Sequence, residues 1–292
     1  MTNRVLITGA TGLIGRGVYS ELGTEHEVIL TARKISNLSP NDFHPYDLSK
    51  VDGIVNFLDR LKPQVIVHTA AVTSIDEVAQ NLDYANLLNI EATREIAKWC
   101  EENNVRMIHF SSDFVFNGLK TNYQELDLAN PISSYGKTKL LSEQAVQSIL
   151  RNHLIIRPIL VYGYFDGLAR MNFPLLVLSN LRSGKKMEIT EDQLRMPTHV
   201  SDVSEIVNKT LFSEETGLLH IAGSELLSVY DFALKIADHF QLDKSLMLPV
   251  KTHSANRDES RPLISGFDLQ RAKSLFGYHP KTIEEGLRFL AI

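Results

Sequence analysis

Short runs of Val, Ile and Leu recur along the chain, and this recurrence constrains the fold more than any other feature. They are Val5-Leu6-Ile7, Val28-Ile29-Leu30, Val65-Ile66-Val67, Met107-Ile108-His109-Phe110, Leu154-Ile155-Ile156 and Leu218-Leu219-His220-Ile221. Strands covered on both faces need no polar alternation, so unbroken apolar runs of this length read as buried parallel strands. Between them, Val51, Ile54, Val55, Leu58 and Leu61 share one stripe, as do Leu88, Ala92, Ile96 and Trp99, at the three- and four-residue steps of one helix face. Strand and helix in alternation imply right-handed crossovers and a doubly wound parallel sheet with helices on both faces, the Rossmann class of α/β fold.

After about residue 163 the pattern loosens, with Pro174, Gly184, Lys185-Lys186 and Pro197 interrupting shorter elements. A chain of 292 residues has room for one large or two modest domains. The expected division is a Rossmann domain over 1–163, to which the chain returns at about 200–223, and a smaller C-terminal α/β lobe over most of 164–292. The helix carrying Val229, Phe232, Ala233, Ile236 and Phe240 belongs to that later part.

Composition then removes several function classes. Hydrophobic residues are 43% and charged residues 22% of the chain, as in ordinary globular proteins. Thirty Lys and Arg against 35 Asp and Glu leave a net charge of −5, without the basic excess that binding a phosphate backbone favours, so nucleic acid is not an expected partner. One cysteine, Cys100, excludes a disulfide framework and fits a reducing compartment, hence the cytoplasm. The apolar run ending at Ile7 is too short for a signal-peptide core and no stretch of 18 apolar residues occurs, so no membrane span is expected. The ten histidines include no HExxH and no paired spacing with a carboxylate, so no metal site is expected.

Three local patterns carry chemistry. Thr8-Gly9-Ala10-Thr11-Gly12-Leu13-Ile14-Gly15 follows the first strand and opens a helix; its glycines permit a tight turn and close backbone approach, and the free N–H groups of a helix start attract a pyrophosphate. The second strand ends Thr31-Ala32-Arg33-Lys34. An acid at this place would grip the ribose hydroxyls of NAD, whereas Arg33 offers a planar fork suited to the 2′-phosphate of NADP, with Arg16 as a second candidate. Tyr135 and Lys139 stand four apart, on one side of a helix if the segment after Pro131 is helical. An ammonium there favours the phenolate and lowers the tyrosine pKa. Ser111-Ser112-Asp113 closes a strand, where a hydroxyl reaches the crevice at the carboxyl edge of the sheet.

In this order, Gly9, Gly12, Gly15, Ser112, Tyr135 and Lys139 resemble the extended short-chain dehydrogenases/reductases. Ala70-Ala71-Val72-Thr73, Asn89-Ile90-Glu91-Ala92-Thr93, Ser111 to Gly118, and Glu125 ahead of Pro131 are similar to that family's dTDP-4-dehydrorhamnose reductase branch. So are Asp192-Gln193, Pro197-Thr198, Asp202, Arg261-Pro262, Ser265 and Asp268. The stretch from Asp192 to Val200 also resembles the regulatory β subunit of methionine adenosyltransferase, whose role is to bind a partner enzyme. Ser112 stands where the branch usually has threonine, Leu160 where it commonly has a substrate-lining tryptophan, and Leu194-Arg195-Met196 replaces a glycine-containing stretch.

The resemblance implies NADPH-dependent reduction of a 4-keto nucleotide sugar, with dTDP-4-dehydrorhamnose or a close analogue as the substrate expected. It implies catalysis by Ser112, Tyr135 and Lys139, and an NADP(H) shell of Gly9, Thr11, Gly12, Leu13, Ile14, Gly15, Arg33, Asp47, Leu48, Ala70, Ala71, Tyr135, Lys139 and Arg157. The sugar nucleotide is expected between the lobes, against Thr73, Val115, Asn172, Arg195 and Thr198. An epimerase or dehydratase of the same superfamily and a non-catalytic NADP-binding subunit are the alternatives, and a homodimer is left open.

Overall fold

The computed structural model describes residues 3–23, 26–34, 43–168, 170–254 and 260–290. Six parallel strands form the central sheet, in the spatial order Gly217–Ile221, His153–Pro158, Arg106–Phe110, Val65–His68, Arg4–Thr8 and Glu27–Thr31. An isolated bridge between Leu30 and Phe43 lies beyond the last strand. These strands are the apolar runs of the sequence, and their side chains explain why the runs are unbroken. Val5, Ile7, Val65, Val67, Ile108, Leu154 and Ile156 join the core on one face, whereas Leu6, Ile66, Met107 and Ile155 join the core on the other. Both faces are covered, so successive residues are equally apolar. Full burial of each such side chain contributes about 1.5–3 kcal/mol.

Strand order reverses between Arg4–Thr8 and Val65–His68; in open α/β sheets the crevice beyond the strand ends at such a reversal holds the ligand. Helix Leu13–Leu22 leaves this point and lies against helix Val200–Thr210. The approach is close enough that a Cβ on Gly17 would stand 2.6 Å from both Ser204 Oγ and Val200 Cγ2. Helix Ser134–Ile149 follows its predicted course, capped by Ser133 Oγ accepting from the Gly136 amide at 3.0 Å.

The later part of the chain interleaves with the earlier. Strand Ile264–Phe267 pairs with Leu119–Tyr123 and, at Ile264, with Leu194–Arg195, which in turn pairs with Leu227–Ser228. A third apolar core, including Tyr162, Val177, Leu178, Phe232, Ile236, Ile283 and Leu287, is drawn from the region after residue 160. Among the described residues no helix is long and apolar enough to cross a membrane.

Candidate active site

The turn after the first strand is built by backbone. Gly9 has φ +67°, a conformation that L side chains rarely adopt, and a Cβ there would stand 2.7 Å from the Ala70 amide nitrogen. A Cβ on Gly15 would stand 2.5 Å from the Gly9 carbonyl, so helix and turn pack at a separation only glycine permits. Gly12 is the N-cap of helix Leu13–Leu22 and supplies no side-chain hydrogen bond. The first amides of that helix therefore have no side-chain cap, which is the donor set a pyrophosphate needs. Thr11, Leu13 and Ile14 flank this opening and are partly exposed, as are Ala70 and Ala71 across the crevice. The residues present thus fit a dinucleotide.

Beneath the turn runs a buried chain of hydrogen bonds that the sequence reading did not assign. Thr8 Oγ1 bonds His68 Nδ1 at 2.8 Å, and His68 Nε2 bonds Thr93 Oγ1 at 3.0 Å. Thr93 Oγ1 donates to the Asn89 carbonyl, and Asn89 in turn clasps the Val72 backbone through both ends of its amide. Asn89 Nδ2 also donates to Thr138 Oγ1, which donates to the Tyr135 carbonyl at 2.8 Å. The chain ties the first strand to the helix that carries Tyr135 and Lys139. Burial pushes His68 down to about 3, aided by the Lys139 charge, so it acts here as a neutral link.

Ser112, at the end of strand Arg106–Phe110, caps the short turn Asp113–Val115. Its Oγ accepts from the Phe114 amide at 3.3 Å and donates to Asp113 Oδ1 at 3.1 Å. The ring of Tyr135 meets Phe114 edge-on at 5.7 Å between centroids. The helix sits so close to this turn that a Cβ on Gly136 would fall 2.1 Å from the Phe114 carbonyl oxygen; Gly136 is therefore what lets Tyr135 reach the Ser112 turn, a role the sequence motif contained but did not disclose.

The electrostatics correct one expectation. Tyr135 is pushed up to about 12, by burial first, with the Asp113 charge adding to it and a hydrogen bond to Ser112 opposing it. The anticipated lowering by Lys139 does not occur; desolvation of a phenolate in this pocket sets the direction of the shift. Lys139 itself is pushed down to about 8 by burial, against the pull of Glu143. Burial thus holds Tyr135 as a neutral phenol at neutral pH, one helical turn from Lys139.

The remaining predicted residues divide sharply. Arg33 is exposed, and its Nη1 donates to the Tyr84 hydroxyl at 2.8 Å. Asp47 accepts from the Ser49 amide and hydroxyl, and Leu48 is buried. Arg16 is buried and donates to the carbonyls of Asp166 and Gly167, fastening the glycine-turn helix to the loop beyond Tyr164. Arg157 is buried in a two-pronged ion pair with Glu143, at 2.8 and 2.6 Å. On the expected substrate side Thr73 is exposed, while Val115 is fully buried. Thr198 is fully buried, with its hydroxyl donating to the Ile159 carbonyl at 2.6 Å. Arg195 is 4% exposed, donates to the carbonyls of Leu194, Pro262 and Leu263, and holds Nε 3.8 Å from Asp113 Oδ2. Asn172 Nδ2 donates to the Gly163 carbonyl at 2.6 Å. Leu160 takes φ +39°, a left-handed conformation that costs a non-glycine residue about 1–2 kcal/mol.

A profile of the RmlD substrate binding domain family matches residues 3–291. The chain belongs to that family. Among relatives of known name, the methionine adenosyltransferase 2 subunit beta of Bos taurus is 34% identical over 282 residues, covering 93% of this chain and 82% of its own length. The dTDP-4-dehydrorhamnose reductase of Aggregatibacter actinomycetemcomitans is 28% identical over 299 residues, covering 98% of this chain and 97% of its own. The crystal structure of dTDP-4-dehydrorhamnose reductase from Bacillus anthracis in complex with NADP superimposes with a TM-score of 0.87 at 26% identity, covering 99% of each chain. The α/β fold around a central parallel sheet is thus shared with the reductase structure.

Proposed function

We propose that this chain is an NADPH-dependent reductase of a 4-keto nucleotide sugar, with dTDP-4-dehydrorhamnose or a close analogue as substrate. The observation that carries the reading is the placement of Tyr135, buried one helical turn from Lys139 and with its ring edge-on to Phe114 at 5.7 Å, against the turn that Ser112 caps at the carboxyl edge of the sheet. The two reductases named above, 28% identical in sequence and with a TM-score of 0.87 in structure, support it.

When bound, the cofactor supplies the hydride that reaches C4 of the sugar. The amides around Gly9, Gly12 and Gly15 seat the pyrophosphate, Arg33 meets the 2′-phosphate and Lys139 holds the nicotinamide ribose. Tyr135 gives its proton to the keto oxygen as negative charge develops there. The Ser112 hydroxyl, which donates to Asp113 in this structure, turns its proton to the same oxygen. Both contacts strengthen as the oxygen gains charge, so they stabilise the transition state more than the ketone. The same reading places the cofactor in residues 1–163 with the return at about 200–223, the substrate mainly against residues 164–292, and the protein in the cytoplasm; the separate third core and the single buried thiol of Cys100 support these assignments.

The test is NADPH oxidation over dTDP-, GDP- and UDP-linked 4-keto sugars. Turnover of the dTDP-linked ketone is expected. A second reading, a non-catalytic NADP-binding subunit that serves a partner enzyme, draws on the higher identity to the adenosyltransferase subunit, 34% against 28%. Binding of NADPH with no turnover of any keto sugar would decide for it.

A further inference from the structure

We infer that Tyr84 is a positioning residue for cofactor choice: by holding one nitrogen of Arg33, it presents the rest of the guanidinium to the 2′-phosphate. This rests on the NADP reading above and deepens it by naming what makes the arginine selective.

Arg33 stands just beyond the strand Glu27–Thr31, on the side of the sheet where an adenosine ribose would lie. Tyr84 comes from a different crossover, the short helix Leu82–Asn86 that follows strand Val65–His68. The two meet across 51 residues of sequence, Arg33 Nη1 donating to the Tyr84 hydroxyl at 2.8 Å, with the guanidinium carbon 5.9 Å from the ring centroid. Tyr84 is itself fixed. The Asn81 side chain caps its helix through the Tyr84 amide at 3.3 Å, and its ring packs against the apolar core on that face of the sheet.

The geometry of arginine gives the contact its meaning. A guanidinium offers five donors in a rigid planar fork. With Nη1 engaged by Tyr84, the Nε and Nη2 edge retains the two parallel donors that match phosphate oxygens in pairs. Arg33 is otherwise exposed on its stem, and an unanchored arginine loses much rotamer freedom when it is immobilised by a ligand. The tyrosine removes part of that loss before the ligand arrives, so its effect is confined to ligands that carry the 2′-phosphate. A ligand without that phosphate does not use the fork and gains nothing from the anchor.

The test is calorimetric titration of the full chain with 2′,5′-ADP and 5′-AMP, and with NADPH and NADH, for wild type, Tyr84→Phe, Arg33→Ala and the double variant. Phenylalanine keeps the ring and its packing and removes only the hydroxyl. The expected result is about fivefold weaker binding of 2′,5′-ADP and NADPH to Tyr84→Phe, about 1 kcal/mol, with 5′-AMP and NADH unchanged. Arg33→Ala should erase the preference for the 2′-phosphate, and adding Tyr84→Phe to it should change nothing further. Equal loss for ligands with and without the 2′-phosphate would show a general disturbance of the site and overturn the inference. So would wild-type discrimination in Tyr84→Phe. If the wild type itself fails to prefer 2′,5′-ADP over 5′-AMP, the NADP reading falls first, and the role of Tyr84 falls with it.

Discussion

The glycine turn with the helix of Tyr135 and Lys139 and the segments 192–200 and 261–268 all carry family motifs, yet the structure uses them in opposite ways. On the first side, backbone and a few side chains gather at the crevice: the first amides of helix Leu13–Leu22, which no side chain caps, and the nearly buried Tyr135 and Ser112 by the end of strand Arg106–Phe110. On the second, the motif side chains turn inward and fasten distant parts of the chain. Asp192 accepts from the amide and hydroxyl of Thr252, Asp202 from the amide and ammonium of Lys281, and Asp268 from Gln124. Arg261 pairs with Asp76 at 3.1 Å, and Arg195 grips the carbonyls of Pro262 and Leu263. A recognisable polar residue can therefore mark a reacting group or a strut, and only the neighbours tell which.

Removal of single groups can break this comparison. The largest effect is expected for Tyr135→Phe, because loss of a positioned general acid lowers rate about 10²–10⁴-fold. NADPH affinity, followed by fluorescence, should barely change. Lys139→Met should damage both turnover and affinity. Wild-type turnover by Tyr135→Phe would remove the phenol from the reaction.

Arg195→Ala sharpens the contrast from the other side. Arg195 lies beside the buried Asp113 carboxylate and donates to three carbonyls, and removing one partner of a buried pair costs about 3–5 kcal/mol. As a strut, its loss should appear in the urea midpoint. A raised KM for the sugar nucleotide with an unchanged midpoint would instead make Arg195 a substrate contact.

Stability should also fall with pH on both sides of the molecule. His68, under the glycine turn, and His220, stacked on Phe267 at 3.8 Å, are each pushed down to about 3, chiefly by burial. Each is a base whose folded pKa lies below its unfolded value near 6.5, so between about pH 6.5 and 3 the unfolded chain binds protons that the folded chain refuses. Their contribution is complete above pH 6.5 and declines as pH falls through this window, by about 2 kcal/mol per histidine at pH 5. Urea unfolding at pH 7.5 and 5 measures it, and a flat profile would mean that these histidines take up protons within the fold.

Gly136→Ala tests the seam between the Tyr135 helix and the Ser112 turn by overpacking. Helix propensity favours alanine by about 1 kcal/mol, but the new Cβ would meet the Phe114 carbonyl at 2.1 Å, and overpacking of this kind costs about 1–3 kcal/mol. A net destabilisation is expected, because the obstacle is backbone and cannot swing aside, with turnover reduced more than NADPH affinity as Tyr135 is moved from the Ser112 turn. Unchanged turnover would show that the helix can shift without disturbing the placement of Tyr135 against the Ser112 turn.

What the sequence determined by itself is local. Apolar runs became the six strands because both sheet faces are covered, and helical spacing put Tyr135 and Lys139 on one helix because that relation depends only on pitch. The glycine turn was legible for the same reason: its function lies in its own backbone. Only tertiary structure decided which charges face the crevice and how far they ionise. Arg195, Arg157 and Arg16 look in sequence like Arg33, yet three are buried on carbonyls or carboxylates and one is exposed beside Tyr84. The partners that make that difference stand 14 residues away for Arg157, 51 for Arg33, 67 for Arg195 and 151 for Arg16. The rise of Tyr135 in place of the anticipated fall has the same origin, since desolvation is set by everything packed around the phenol and no spacing along one helix records it.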